Sequence, residues 1–210
     1  MTVKLVGSTS GSVSLQAPAS TTGGAHRVLT LPDADGTVAV GNTGKILQVK
    51  TNTTRDSVGS VHCNPTNTYI DIPDQNVTIT PSATTSKIKI SFHQFGETGS
   101  SGHAFSFGLK RAISGGATTY IEGTATGSRT AVLTLADIGY WNSNDDSTPS
   151  KAIISGYLDS PNTTSAITYT VQIRHHESTG YYYYNRTVTD SSDAARERGL
   201  SWITVEEVAA

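Results

Sequence analysis

The stretch Lys87-Ile88-Lys89-Ile90-Ser91-Phe92 (KIKISF, 87–92) alternates polar and apolar residues with a period of two. Successive side chains of a β-strand point to opposite faces, so Ile88, Ile90 and Phe92 share one face and Lys87, Lys89 and Ser91 the other. Such a strand sets one face on a core and the other toward water. Working outward, similar runs recur at near-regular spacing. Ile46 and Val49, Thr68–Ile72 and Val77–Thr80 precede it. Phe105–Leu109, Thr119–Ile121, Thr130–Leu133, Ala152–Leu158, Ile167–Ile173, Tyr181–Val188 and Trp202–Val205 follow. About ten short strands with turn signals between them predict an all-β chain, a jelly-roll-like antiparallel β-sandwich. The one helical pattern is Asp193–Arg198, with Asp193 as cap and Gly199 as stop, although an extended loop fits the same residues.

Composition agrees. Charged residues are 15% of the 210, Ser and Thr together supply about a quarter, and there are 20 Gly, 9 Tyr and 4 Phe. Hydroxyl-rich and β-branched chains favour strands and turns. A formal net charge of −2 offers no electrostatic attraction to nucleic acid or to an anionic membrane. No apolar run approaches the ~20 residues of a membrane helix, and no signal peptide opens the chain. Neither nucleic acid nor membrane insertion is therefore expected, and synthesis is expected in a cytoplasm. Cys63 is the single cysteine, so no intrachain disulfide is possible.

Residues 1–43 differ from 44–210. Val13-Ser14-Leu15, Val28–Leu31 and Thr37–Val40 are short β-like runs, separated by the linker Ala19–Gly24 and the turn Pro32–Gly36. They are too short and too few to bury a core alone, so an extended stem that docks on a partner is expected. Disorder is the other reading of this composition.

The stretch GSTSGSVSLQAPASTTGGAHRVLTLPDADGTVAV (7–40) resembles the stem segment of tail-fibre and virion structural proteins of bacteriophages, cyanophages especially. ILQVKTNTT (46–54), VTITPSATTSKIKI (77–90), LDSPNTTSAITYTVQI (158–173), NRT (185–187) and WITVEEVAA (202–210) are similar to the distal module of the same group. The resemblance implies a homotrimer in the tail of a virion, with stems 1–43 docked on other tail or virion proteins and β-sandwich heads 44–210 at the tip. It implies a short, non-catalytic tail fibre that attaches to a host-surface glycan or protein. A purely structural collar, baseplate or head fibre is the alternative, and a polysaccharide depolymerase is third. At 210 residues the chain is short for a fibre, and its tyrosine run is heavier than that pattern carries, which leaves the ligand open.

Candidate binding residues are aromatic. In a strand, Tyr181 and Tyr183 face one way and Tyr182 and Tyr184 the other. Either one pair stacks on sugar rings, or both pairs pack, one in the sandwich and one between subunits. Tyr140 and Trp141, beside Asn142 and Asn144 in a polar loop, either combine a flat platform with amide partners or anchor the loop in the core. The Gly/Ser loop Gly96–His103 is a further recognition candidate. His175 and His176 point to opposite faces, so one ion could be held only by three copies of one of them, or of His26, on a threefold axis. Asp33-Ala34-Asp35-Gly36 lacks the remaining ligands of a calcium loop and reads as a turn. No metal or other cofactor is expected. Neither a dinucleotide fingerprint nor a nucleophile elbow is present. Asp145, Asp146 and Glu122 are the first carboxylates to test for glycoside hydrolysis.

Overall fold

The computed structural model describes residues 2–6, 12–16, 44–54, 56–99, 104–135, 149–194 and 196–210. The chain divides into two compact units, Met1–Val40 and Gly41–Ala210. The first contains β1 (Thr2–Val6) and β2 (Ser12–Gln16), an antiparallel pair running from Thr2 opposite Gln16 to Val6 opposite Ser12. The expected run at Val13–Leu15 lies in β2. His26, Val28–Leu31, Pro32–Gly36 and Thr37–Val40 lie outside the described residues.

The second unit is built from β3 (Ile46–Thr54), β4 (Gly59–Cys63), β5 (Ile70–Ile79), β6 (Lys87–Thr98), β7 (Phe105–Ile113), β8 (Thr118–Ile121), β9 (Thr134–Leu135), β10 (Ser150–Asp159), β11 (Ile167–His175), β12 (Gly180–Tyr184) and β13 (Ser201–Val208). They form two antiparallel sheets. The six-stranded sheet is centred on β6, which pairs with β10 along one edge. Its other edge is shared by β13 over residues 87–93 and by β12 over 96–98, with β3 beyond β13 and β4 beyond β12. The five-stranded sheet runs β5-β11-β7-β8, with β9 also on β7. Ile88, Ile90 and Phe92 are fully buried, on the side that the alternation of KIKISF assigns to the core. They pack with Ile203 and Val205 from their own sheet and Phe107, Tyr169 and Val171 from the other. Burying each such side chain contributes roughly 1.5–3 kcal/mol.

Two buried carboxylates come with partners. Glu207, 1% exposed, accepts hydrogen bonds from Ser82 N (2.7 Å), Ser82 Oγ (2.6 Å), Ser86 Oγ (2.7 Å) and Gln48 Nε2 (2.6 Å), pinning the 82–86 turn to β13. Asp159 accepts from Arg111 at 2.7 Å and from the Tyr169 hydroxyl at 2.8 Å. Burial and the adjacent carboxylate both push that hydroxyl's pKa up.

Several expectations change. The expected runs Thr68–Ile72 and Val77–Thr80 meet in one strand, with Thr68, Tyr69 and Thr80 just outside it: β5 crosses Pro73 and Asp74 with a register shift, and Asp74 adopts a φ of 60°. The proline is tolerated because β5 is an edge strand, where a missing N–H breaks no ladder. Thr130–Leu133 is not a strand; the pairing starts at Thr134. The described residues of 193–198 are not helical: Arg196 N donates to Asp193 O, and Arg198 forms a backbone bridge to Arg186. Ala152 is buried but Ile153 is 48% exposed, so this apolar run has one outward face.

Candidate functional site

Two glycines decide which tyrosines point inward. A Cβ at Gly59 would lie 2.6 Å from the Tyr184 hydroxyl, and one at Gly96 would collide with the Tyr182 phenol. With no side chains there, Tyr182 and Tyr184 enter the sandwich, where Tyr182 meets Phe107 edge-on at 5.5 Å. Burial pushes the Tyr182 hydroxyl's pKa far up.

The alternation then sends Tyr181 and Tyr183 outward. Tyr181 is 46% exposed and Tyr183 half-buried. Across the β12–β4 ladder Tyr181 stands opposite His62, and the two rings stack at 4.4 Å with planes 10° apart. Tyr181 and Tyr183 are 6.3 Å apart and tilted by 35°. At the far end Asn185 takes a φ of 59°, a conformation that asparagine adopts more readily than most residues. Just beyond that turn, the Arg186 guanidinium stands 4.7 Å over the Tyr183 ring. Its Nη1 donates to Thr187 O and Val188 O, at 3.3 and 3.0 Å, which holds the stack in place. His62, Tyr181, Tyr183 and Arg186 thus form one ribbon of flat groups on the outer face of the six-stranded sheet.

Asn185 anchors the ribbon from inside. Its side-chain amide donates to Thr54 O (2.7 Å), Thr54 Oγ1 (3.1 Å) and Ser57 O (2.7 Å), and its carbonyl oxygen accepts from Ser201. At the other side Gly99 N donates to Tyr181 O at 2.8 Å, and a Cβ there would sit 3.0 Å from the Tyr183 ring. Gly96–Thr98 of the expected Gly96–His103 loop are the end of β6, paired with Tyr184–Tyr182, and residues 100–103 lie outside the described residues.

Tyr140, Trp141, Asn142, Asn144, Asp145 and Asp146 lie outside the described residues. Glu122 stands 3.5 Å from the Arg174 guanidinium. His175 is 1% exposed with its ring edge-on to Phe105 at 4.7 Å, so it is held inside the sandwich and not on a surface where three copies could meet. Among the described residues no three His, Cys, Asp or Glu side chains are grouped to hold a metal, and no helix is long and apolar enough to cross a membrane. His62 and Arg186 were not legible as partners of the tyrosines. Only the β4–β12 register and the turn at Asn185 bring them there.

No family model matches the sequence, and no curated protein sequence matches it. Among solved structures, a structure of infectious bursal disease virus, Gt strain, is similar over 97% of this chain with 15% identity and a TM-score of 0.34. The VP2 subviral particle of the same virus is similar over 87% with 16% identity, also at a TM-score of 0.34. The chain spans less than half the length of these structures, 44% and 43% respectively. An overlay this loose fixes neither ancestry nor activity.

Proposed function

We propose that the chain is an adhesive virion structural protein, a non-catalytic, trimeric bacteriophage tail fibre whose sandwich meets glycans of the host surface. One observation carries this reading: the ribbon His62–Tyr181–Tyr183–Arg186 is a stack of flat groups with polar edges on the outer face of the sheet, with Tyr181 46% exposed, while the alternate tyrosines fill the core. Sugar rings offer apolar faces bordered by hydroxyls, and tyrosine meets both kinds of group. The Arg186 guanidinium adds donors at one end. The order of motifs along residues 7–40 supports the virion assignment and a docking role for residues 1–43.

The test is binding of fluorescently labelled full-length protein to host cells. Replacing both Tyr181 and Tyr183 with Ala should lower cell binding at least tenfold, with the melting transition retained. Unchanged binding would overturn the site.

The purely structural reading draws on a different observation. Edge strand β10 exposes Ile153 and Leu158 on its outer face, an apolar pair suited to another subunit. In that case a β10 variant, Ile153→Lys with Leu158→Lys, would abolish incorporation into particles, and the ribbon variant would have no effect on host binding.

A further inference from the structure

We propose that the outer face of the five-stranded sheet is a second saccharide-contact surface, centred on Tyr120 and Tyr69, so that each sandwich carries one platform on each of its two outer faces. This rests on the glycan reading of the Tyr181–Tyr183 ribbon and extends it to a surface on the opposite side of the domain.

The register places the groups. Ile121 is in the core, so its neighbour Tyr120 on β8 points outward, beside Lys110 of β7 in the same register row. Tyr120 is 54% exposed, and no packing inside the sandwich calls for an aromatic there. Tyr69 reaches the same face from the segment before β5. A Cβ at Gly108 would lie 2.6 Å from the Tyr69 ring, so the glycine is what lets that ring lie flat on the sheet. The Arg174 guanidinium stacks on the ring at 4.2 Å. The planes of Tyr69 and Tyr120 are 14° apart with centroids 6.4 Å apart, so the half-buried Tyr69 ring backs the exposed Tyr120 ring. Burial pushes the Tyr69 hydroxyl up to about 12 against the opposing influence of Arg174, so at neutral pH it keeps its proton.

The polar groups around the rings define the ligand class. Lys110 pairs with Asp71, Arg174 stands 3.5 Å from Glu122, and Gln172 Nε2 donates to Asp71 at 2.7 Å. Each cation has its anion, so the face attracts neither a polyanion nor a polycation. It offers donors and acceptors in compensated pairs beside flat apolar rings. Aromatic faces with balanced donors and acceptors suit a neutral, hydroxyl-rich saccharide. Two such platforms on opposite faces make one chain bivalent, and bivalency raises avidity wherever both faces reach ligand.

The experiment is equilibrium dialysis of the full-length protein against neutral hexasaccharides (maltohexaose, cellohexaose and chitohexaose), with saturation-transfer NMR as the second readout. The expectation is two sites per chain for at least one of them. Tyr120→Ala should remove one site and Tyr120→Phe should retain it. The Tyr181→Ala, Tyr183→Ala pair should remove the other, and all three together should leave none, each with an unchanged melting transition. A stoichiometry of one that Tyr120→Ala leaves intact and the ribbon pair removes would overturn the second surface and spare the first. One site removed by Tyr120→Ala alone would overturn the ribbon and spare the second surface. No binding by any hexasaccharide would overturn both.

Discussion

Replacing Glu207 with Gln probes how the buried end of β13 is held. Burial alone pushes this carboxyl up, but donors from Ser82, Gln48, Ser86 and the Ser82 backbone more than reverse that and hold it at about 2, against an ordinary value of 4.5. At about 1.4 kcal/mol per unit, the difference corresponds to about 3 kcal/mol favouring the ionised folded state. The folded carboxyl takes up a proton less readily than the unfolded one, so the unfolded chain binds more protons between pH 4.5 and about 2. This contribution is complete above that window and is lost as pH falls through it. Gln keeps one acceptor oxygen but turns an NH2 toward Gln48 Nε2, setting donor against donor. With a urea m-value of about 2 kcal/mol/M, the midpoint at pH 7 should fall by about 1–1.5 M. The gap between native protein and variant should then narrow steadily from pH 5 toward pH 2. A midpoint within 0.2 M of the native one at pH 7, or a gap independent of pH, would refute this account of the clamp.

Other consequences are separable. Tyr182→Ala should cost about 3–5 kcal/mol, as truncations of buried aromatics do, whereas Tyr181→Ala should stay within about 0.5 kcal/mol by chemical denaturation. Asn185→Ala removes three donated hydrogen bonds at a left-handed position and should cost about 2–4 kcal/mol in the same assay, with the Arg186 stack loosened. Burial pushes the Cys63 thiol up to about 12, so Ellman's reagent at pH 8 should label the protein only after denaturant is added.

The fold was legible where one face is wet. KIKISF alternates in the structure as it does in the sequence, and the four identical tyrosines alternate in burial, because period two is the geometry of a half-buried strand. β5 was read as two pieces because Pro73-Asp74 looks like a break, and only its edge position explains the continuity. β4 was missed: Gly59–Cys63 is short, and its value lies in the room that Gly59 leaves for Tyr184. At the site, alternation pairs Tyr181 with Tyr183 and Tyr182 with Tyr184, but Gly59 and Gly96 decide which pair faces out. Their neighbours His62 and Arg186, and the Tyr69–Tyr120 face, depend on cross-strand register and on glycines beneath rings, which a linear reading does not reveal.

Adsorption competition tests the adhesive role most directly. Host cells would be preincubated with saturating full-length protein, native or carrying Tyr181→Ala and Tyr183→Ala, and the adsorption rate of particles bearing the chain then measured. Adhesion through the ribbon requires that native protein slow adsorption several-fold and that the variant, equally folded, have little effect. Adsorption unchanged by saturating native protein, with the chain present in the particle, would contradict it and leave a structural role alone.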